Sequence, residues 1–228
     1  MNLIFDIGYN KGDFSAEALK YHPDCRIIGV EANSALVASH KPSESITLLN
    51  KAVSNIMDKE VPFYVSPEDG ISTASTGFLQ NSRFAKGSKY INHRSQWNPP
   101  IPVASVTLDQ LIEDYGVPDF IKIDVEGYEK EVIEGLSRRV PLLSFEWHEE
   151  DFDNLQLIVA HLLSLGFEEF GVLGYIEGEP PDEITFSDKG DAYMEFPRQF
   201  YSWDALQTPF QQVIDPSRRV HYGMFYAK

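Results

Sequence analysis

The fold of this chain is decided by the stretch LIFDIGYNKG, residues 3–12. Its first five residues form a mainly apolar run that predicts a buried parallel strand, and a helical stretch follows the glycines. Gly8 and Gly12 let the backbone turn tightly and let a ligand approach without a Cβ in the way. Together these features predict a strand, a turn and a helix that bind a ligand at the carboxyl end of the strand.

A second apolar strand, RIIGVE at residues 26–31, ends in an acid. Glu31 is placed to accept hydrogen bonds from the two hydroxyls of a ribose, as in a nucleoside-cofactor crevice. The glycine spacing differs from the G-x-G-x-x-G dinucleotide pattern, and Asp6 precedes Gly8 by two residues. An acid there suits a cationic group better than a phosphate. This favours S-adenosylmethionine, which carries an ammonium and a sulfonium and no phosphate.

Composition restricts the class of protein and its partners. A chain of 228 residues with 43% hydrophobic residues can form one α/β domain, which we expect to span residues 1–228. The formal net charge of −16 argues against a nucleic-acid partner. No apolar run approaches the roughly 20 residues of a membrane span, and no secretory signal opens the sequence. With a single cysteine, the sequence predicts a cytoplasmic protein.

Strands and helices alternate along the chain, which predicts a Rossmann-like α/β fold. We expect a mostly parallel, seven-stranded sheet with helices on both faces. Core and accessory strands are predicted at residues 3–7, 26–31, 46–53, 61–65, 119–124, 142–147, 167–175 and 220–226. Residues 66–102 are predicted to be a long loop, and residues 176–219 a connector or insertion before the last strand.

A second group of polar residues lies in FIKIDVEGYE, residues 120–129. Alternate side chains of a strand share a face, so Lys122 and Asp124 point the same way. Asp124 falls at the carboxyl end of its strand, and Glu126 lies in the turn beyond it. Either these acids serve a ligand in the crevice, or Lys122 and Asp124 form an internal ion pair, because an unpaired buried charge is costly.

The chain resembles the FkbM family of S-adenosylmethionine-dependent methyltransferases. The resemblance covers residues 3–148 and rests on the motifs DIGYNKG, VEAN, NKAVS, ST, TLD and IKIDVEGYE in that order. It implies a class I methyltransferase fold and methylation of a hydroxyl oxygen, often on a sugar or glycan. Residues expected to bind the cofactor are Asp6, Gly8, Asn10, Gly12, Glu31, Ala32, Ala52, Val53 and Asp124.

Methyl transfer to a hydroxyl benefits from a general base, and we expect the catalytic group among Asp124, Glu126, Glu146 and His148. Glu146 and His148 share one face of a strand that should end beside Asp124. A histidine has a pKa suited to accepting a proton near neutral pH. The same side chains could ligate a divalent cation, but no fixed ligand spacing supports a metal.

The segment 81–100 is predicted to be a mobile loop that closes over the substrate. It contains cations and aromatic residues and no acid, although the protein is strongly acidic. Arg83, Lys86, Lys89 and Trp97 are therefore candidates for binding a small-molecule or glycan acceptor with an anionic group. The alternative is a solvated loop whose aromatic side chains pack on the domain.

Other functions and assemblies stay open at this point. One alternative is a nicotinamide-dependent oxidoreductase with the same crevice, and another is a non-catalytic cofactor-binding protein of the same fold. An RNA ribose methyltransferase is disfavoured by the net charge of −16. The sequence does not decide between a monomer and a homodimer.

Overall fold

The computed structural model describes residues 1–67, 70–85, 97–175, 196–197, 199–213 and 222–228. The strands are β1 (Leu3–Ile7), β2 (Arg26–Glu31), β3 (Ile46–Asn50), β4 (Ala52–Val53), β5 (Glu60–Phe63), β6 (Ile101–Val106), β7 (Phe120–Ile123), β8 (Leu143–His148), β9 (Phe170–Tyr175) and β10 (Tyr222–Ala227). The helices are α1 (Asp13–Tyr21), α2 (Ser34–Ser39), α3 (Thr76–Asn81), α4 (Leu108–Tyr115), α5 (Glu129–Glu134), α6 (Phe152–Ser164) and α7 (Trp203–Val213).

Seven strands form the main sheet, in the order β3-β2-β1-β7-β8-β10-β9. Within this sheet, the neighbouring strands β3, β2, β1, β7 and β8 are parallel, and β10 runs antiparallel to both of its neighbours, β8 and β9. The chain moves outward from β1 through β2 to β3 and later resumes on the other side with β7. The strand order therefore reverses between β1 and β7, the position where open parallel sheets bind ligands.

The helices begin where the sequence supplies capping groups. The side chain of Asn33 accepts a hydrogen bond from the backbone of α2, and that of Thr107 does the same for α4. In α6, one face is buried through Leu155, Ile158, Val159 and Leu162, the spacing expected of an amphipathic helix. No helix among the described residues is long and apolar enough to cross a membrane.

A second, three-stranded sheet was not predicted. The strand expected at residues 46–53 is divided into β3 and β4, and β4 pairs with β6 in this second sheet, whose order is β4-β6-β5. Pro62 and Pro102 lie opposite each other in the β5–β6 pair, and prolines argue against a strand in the sequence. Pro102 is tolerated because β4 pairs with β6 only at Ser105 and Val106, and Pro62 is tolerated because β5 is an edge strand of this sheet.

Two segments predicted to be irregular contain helices. The long loop expected at residues 66–102 includes α3, and its last residues begin β6. The connector expected at residues 176–219 includes α7, in which Phe210 is buried against Trp147 and Phe225. A helix there completes the cover of the β8–β10 end of the sheet.

Phe225 lies in the core at this end of the sheet, and its substitution tests how this part of the core is packed. Its ring is wholly buried and contacts the rings of Phe145, Phe170 and Phe210. Phe225→Ala should lower the free energy of unfolding by about 3–5 kcal/mol, because the cavity left behind cannot fully collapse. Urea unfolding followed by circular dichroism measures this.

The matched control is Leu157→Ala, since Leu157 is 55% exposed. We expect it to cost less than about 1 kcal/mol. Equal losses in the two variants would contradict this description of the core.

Candidate active site

A cavity of about 440 Å³ opens at the carboxyl ends of β1, β2 and β7. Its walls combine backbone from the turn after β1, the acid at the end of β2 and the residues that follow β7. The residues expected from the sequence that line it are Gly8, Asn10, Glu31, Ala32, Ala52, Val53, Asp124 and Glu126. The other lining residues are Ile7, Lys11, Val30, Asn33, Leu36, Lys51, Phe63, Ser66, Pro67, Gly70, Ser72, Ala74, Val125 and Tyr128.

Gly8 brings the turn after β1 close to the end of β7. Its φ is +78°, and a Cβ added there would lie 1.8 Å from the carbonyl oxygen of Asp124. The amide of Asp124 in turn donates to the carbonyl of Ile7 at 3.0 Å. Only glycine fits this position, both for its backbone conformation and for the space available.

Glu31 joins the turn after β1 to the start of α2. One carboxylate oxygen accepts a hydrogen bond from the amide of Asn10 at 2.8 Å, and the other accepts from the amide of Asn33 at 2.7 Å. Burial raises the pKa of Glu31, although these backbone hydrogen bonds oppose the rise. Each carboxylate oxygen has a second lone pair, so Glu31 can still accept hydrogen bonds from ribose hydroxyls.

Lys122 links β7 to the turn after β1 from below the cavity. Its ammonium donates to the carbonyl of Gly8 at 2.9 Å and lies 3.5 Å from Asp6 and 3.3 Å from Asp124. The internal ion pair considered as an alternative role for Lys122 is therefore present, and it includes Asp6 as a third member. The arrangement holds the Asp124 carboxylate at the edge of the cavity.

Asp6 and Gly12 do not line the cavity, contrary to the expectation that they contact the cofactor. Asp6 is wholly buried beneath it, and Ser15 donates a 2.6 Å hydrogen bond to its carboxylate. Burial raises the pKa of Asp6 to about 6, and the neighbouring Lys122 limits the rise. At Gly12, a Cβ would lie 2.3 Å from the hydroxyl of Tyr9, so this glycine makes room for a buried ring.

The four candidate catalytic groups lie together at the ends of β7 and β8. Glu126, Glu146 and His148 each offer one ligand-type atom, and these atoms lie within 4.8 Å of one another. His148 and Glu146 are paired through a 2.8 Å contact, with side chains only 9% and 13% exposed. Asp124 precedes Glu126 by two residues and lines the same cavity. The spacing of the three atoms would also suit a divalent cation.

Glu126 is held in an uncommon backbone conformation at the point where the cluster meets the cavity. Its φ is +57°, in the left-handed region that non-glycine residues rarely adopt. The hydroxyl of Thr73 donates to the carbonyl of Glu126 at 2.7 Å and fixes the turn. Such conformations concentrate at functional sites, where the surrounding structure maintains them.

The surroundings shift the protonation of the cluster. Burial, reinforced by the charge of Glu146, raises the pKa of Glu126 well above its ordinary value. The same two causes raise the pKa of Glu129 to about 8. Burial alone would lower the pKa of His148, but the Glu146 carboxylate outweighs it and raises this pKa to about 9. At neutral pH, His148 is therefore protonated and Glu129 carries a proton.

The predicted substrate loop is only partly described, and Lys86 and Lys89 lie outside the described residues. Arg83 is buried, with its guanidinium 3.3 Å from Glu150 and stacked over the ring of Tyr222. Arg83 is thus held by internal contacts, and its role in binding an acceptor stays a prediction. The indole of Trp97 donates to the carbonyl of Ile71 at 2.8 Å and anchors its segment to the domain.

Two aromatic residues of the cavity, Phe63 and Tyr128, were missed by sequence reasoning. Tyr128 follows the acidic turn in the motif at residues 120–129, and its hydroxyl lies 3.1 Å from that of Ser54. Its position directly after Glu126-Gly127 is a signal that could have been used. Phe63 ends β5 in the second sheet, so no local pattern indicated that it reaches the cavity.

The strand order, the antiparallel β10 and the cavity beside β1 and β7 define a class I methyltransferase fold. The chain belongs to the FkbM family: the family model, described as the methyltransferase FkbM domain, matches residues 6–169, more than half of the chain. It is therefore a methyltransferase that uses S-adenosylmethionine, and the oxidoreductase alternative is set aside. The cavity fits this cofactor, because it offers Glu31, which can accept hydrogen bonds from a ribose, together with carboxylates at the end of β7, and its turn after β1 lacks the G-x-G-x-x-G spacing of a pyrophosphate site.

Solved structures similar to the chain are also methyltransferases, although the similarity is weak. The precorrin-6y C5,15-methyltransferase from Geobacter metallireducens GS-15 is 13% identical, with 99% of this chain and 80% of that chain covered and a TM-score of 0.41. The plantazolicin methyltransferase BpumL in complex with SAH is 11% identical, with 100% and 76% covered and a TM-score of 0.43. Such scores carry no argument about the acceptor. No curated protein matches the sequence.

Removal of the Lys122 ammonium should destabilise the fold. Lys122→Met leaves the buried Asp6 carboxylate without its cation, which we expect to lower the free energy of unfolding by about 3–5 kcal/mol. The double variant Asp6→Asn/Lys122→Met should recover part of this loss, and a double-mutant cycle in urea measures the coupling.

Lys130→Met is the control for the loss of a lysine. Lys130 lies 3.1 Å from Glu134 on the surface of α5, so we expect a loss below about 1 kcal/mol. A Lys122→Met variant as stable as this control would contradict the structural role of the buried ammonium.

The raised pKa of Glu129 predicts that the stability of the protein depends on pH. Its pKa in the folded protein is about 8, above the ordinary value of 4.5, so the folded state favours the protonated form. The contribution of protonated Glu129 to the free energy of unfolding is complete below about pH 4.5 and is lost as the pH rises through about 8. Glu129→Gln does not titrate, and its side-chain oxygen can still accept the hydrogen bond from the amide of Val125.

Relative to wild type, the melting temperature of Glu129→Gln should therefore rise between about pH 5 and about pH 8.5, by roughly 5 °C or more. Differential scanning calorimetry at several pH values measures the difference. A difference that stays constant with pH would show that Glu129 is ionised in the folded protein.

Proposed function

We propose that this protein is an O-methyltransferase that methylates a hydroxyl group of a sugar, a glycan or a related small molecule. The observation that carries the proposal is the position of Glu126. It lines the cofactor cavity, and its carboxylate lies within 4.8 Å of the Glu146 and His148 ligand atoms. This position supports a role for Glu126 in accepting a proton from an acceptor bound beside the cofactor.

Hydroxyl methylation requires a straight path between the acceptor oxygen and the methyl carbon, and a site for the hydroxyl proton. Bound S-adenosylmethionine would supply a sulfonium methyl carbon for in-line attack by the acceptor oxygen, with the carbon–sulfur bond breaking as the carbon–oxygen bond forms and S-adenosylhomocysteine as the leaving group. The chain would supply positioning: Glu31, which accepts a hydrogen bond from the amide of Asn10, would hold the ribose, and the close packing of Gly8 on Asp124 fixes the floor of the cavity. Positioning of this kind accounts for much of the rate gain in bimolecular reactions.

Glu126 is the group best suited to accept the proton. His148, with a pKa of about 9, is already protonated at neutral pH, so its imidazole is not available as a base. Burial and the charge of Glu146 raise the pKa of Glu126 well above its ordinary value, so a smaller fraction of Glu126 is ionised than of an ordinary carboxylate. Each ionised Glu126 is a stronger base, and it lines the cavity where the acceptor would bind. The protonated His148 can orient the acceptor oxygen by donating a hydrogen bond, while Glu146 balances its charge.

A smaller hollow of about 80 Å³ lies on the other side of the cluster and supports an acceptor with hydroxyl groups. His148 and Gly127 form part of its wall, together with residues of α3 and of the start of α6. Its side chains include the hydroxyls of Ser75 and Ser82 and the amides of Asn81 and Asn154. These groups can both donate and accept hydrogen bonds, as a sugar hydroxyl requires.

Glu126→Gln should abolish most of the turnover and leave the cofactor bound. Loss of a general base lowers kcat by about 10²–10⁴-fold, whereas the dissociation constant of S-adenosylhomocysteine should change by less than about three-fold. The experiment screens sugars, glycans and other hydroxyl compounds with S-adenosylmethionine, and mass spectrometry and NMR identify the methylated atom.

The matched control is Glu131→Gln, which changes a carboxylate that lies on α5 beside Lys130, outside the cavity. It should keep the turnover of the wild type. A methyl group found on nitrogen or carbon, or an unchanged kcat in Glu126→Gln, would overturn the proposal.

A further inference from the structure

We propose that Arg83 and Tyr222 are positioning residues of the acceptor site, which hold the imidazole of His148 in place through a stack of one guanidinium and two rings. The inference rests on the proposed function, in which His148 donates a hydrogen bond to the acceptor oxygen. Arg83 and Tyr222 line neither the cofactor cavity nor the smaller hollow beside it. We therefore expect them to act through His148.

Three distant parts of the chain meet at this stack. Arg83 follows α3, Tyr222 begins β10 and His148 ends β8. The guanidinium carbon of Arg83 lies 5.2 Å from the centre of the Tyr222 ring, which is a cation–π distance. The rings of Tyr222 and His148 are stacked, with centres 6.4 Å apart and planes inclined by 21°. Tyr222 therefore connects the guanidinium to the imidazole.

The main sheet fixes the tyrosine beside the histidine. Tyr222 is directly opposite His148 in the antiparallel pairing of β10 with β8, and the side chains of opposite residues are neighbours on one face of a sheet. The stack is thus set by the register of the two strands. The ring can be removed by substitution while the backbone pairing stays, so its effect on His148 can be measured separately.

Arg83 is held over the tyrosine by Glu150. The Nε atom of Arg83 lies 3.3 Å from a carboxylate oxygen of Glu150, and the backbone amide of Arg83 donates to the same oxygen at 3.0 Å. The two side chains are only 10% and 15% exposed. A planar guanidinium can bond a carboxylate along its edge and stack on a ring with its face, which an ammonium cannot do. The carboxylate therefore fixes the face that Arg83 presents to Tyr222.

The other contacts of His148 show what the stack controls. Its Nε2 lies 2.8 Å from a carboxylate oxygen of Glu146, and the ring of Phe78 meets the imidazole edge to face, with centres 5.8 Å apart. A protonated imidazole donates from both nitrogens. With Nε2 directed at Glu146, Nδ1–H is the donor for an acceptor oxygen. The direction of this donor depends on the rotation of the ring, which the stacked tyrosine limits.

Arg83 also acts on His148 through its charge. Burial lowers the pKa of His148, the carboxyl groups of Glu146 and Glu129 raise it, and the guanidinium of Arg83 lowers it, with a resulting pKa of about 9. The titratable and charged groups around the imidazole come from the turn after β7, from α5, β8 and β10, and from the segments after α3 and before α6: Glu126, Glu129, Glu146, Tyr222, Arg83, Glu150 and Asp151. Arg83 supplies the positive charge of this set, so its removal should raise the pKa of His148.

NMR of the histidine side chains tests the inference without an acceptor. Proton–nitrogen correlation spectra report the environment and the titration of each imidazole, and His148→Gln identifies the signals of His148. Tyr222→Leu removes the stacked ring, so the His148 signals should move. Tyr222→Phe is the conservative variant, and it should restore these signals nearly to their wild-type positions because the ring is kept.

The same two variants separate positioning from general stability. With the acceptor found for the proposed function, Tyr222→Leu should lower kcat about ten-fold or more, as expected when a positioning group moves slightly, and should change the Kd of S-adenosylhomocysteine by less than about three-fold. Tyr222→Phe should recover most of the turnover. An equal loss of turnover in both variants would contradict a role for the ring.

Arg83 is tested by its charge. Arg83→Met should raise the pKa of His148, because the nearby positive charge is lost and Glu150 no longer has its cation. Arg83→Lys keeps the charge and should leave this pKa close to that of the wild type. If Arg83→Met does not fold with Glu150 unpaired, the Tyr222 variants still decide the inference, since they change no charge.

Lys228→Met is the matched control for Arg83→Met. The ammonium of Lys228 lies 4.2 Å from the centre of the Phe200 ring and 3.4 Å from a carboxylate oxygen of Glu169. Like Arg83, it is a cation that contacts one ring and one carboxylate, but it lies outside the site. This variant should leave the His148 signals and kcat unchanged.

The outcomes separate the inference from the function on which it rests. If Tyr222→Leu leaves the His148 signals and kcat unchanged, the stack does not position His148. If Arg83→Met raises the KM of the acceptor and leaves the His148 signals unchanged, Arg83 binds the acceptor directly and the inference is wrong. If the His148 signals respond as expected but the methyl group is found on nitrogen or carbon, the proposed function fails while the positioning of His148 stands.

Discussion

The structure depends on one buried cation shared by two strands. Lys122 lies in β7 between a wholly buried Asp6 in β1 and a cavity-lining Asp124, and it also donates to the carbonyl of Gly8. A lysine in the centre of a sheet is costly unless its charge is compensated and its protons are bonded. Because these partners belong to β1 and the turn that follows it, the contacts of Lys122 hold β7 against β1, and the strand order reverses between these two strands. The same contacts that stabilise the core therefore also shape the floor of the cofactor cavity.

The sequence predicted those residues of the cavity that a local sequence pattern specifies. Gly8 and Glu31 each occur at the end of an apolar strand, and the carboxyl ends of parallel strands meet at one edge of a sheet. The role of Asp6 was not predictable in the same way. The pattern showed an acid beside the turn, but its side chain points down to Lys122, and the partner lies 116 residues away in the sequence.

The second sheet shows a different limit of local reasoning. A strand was predicted at residues 61–65 despite Pro62, but β6, which contains Pro102, was not predicted. The two prolines lie opposite each other, away from the residues of β6 that pair with β4. Arg83 is a second example, in which the contacts of one side chain could not be predicted from the local sequence. A cation in an acid-free segment suggested a ligand contact, whereas Glu150, which pairs with it, lies far along the chain. In both examples, the deciding partner is remote in sequence.

The position of β10 has a consequence for how the protein is made. This strand follows β9 in the chain but separates it from β8, with Tyr222 opposite His148. While a ribosome synthesises the chain, β8 has no neighbour on that side until β10 emerges. The half of the site that carries Glu146 and His148 is therefore completed last, and a nascent chain without β10 exposes an unpaired apolar edge that chaperones would recognise.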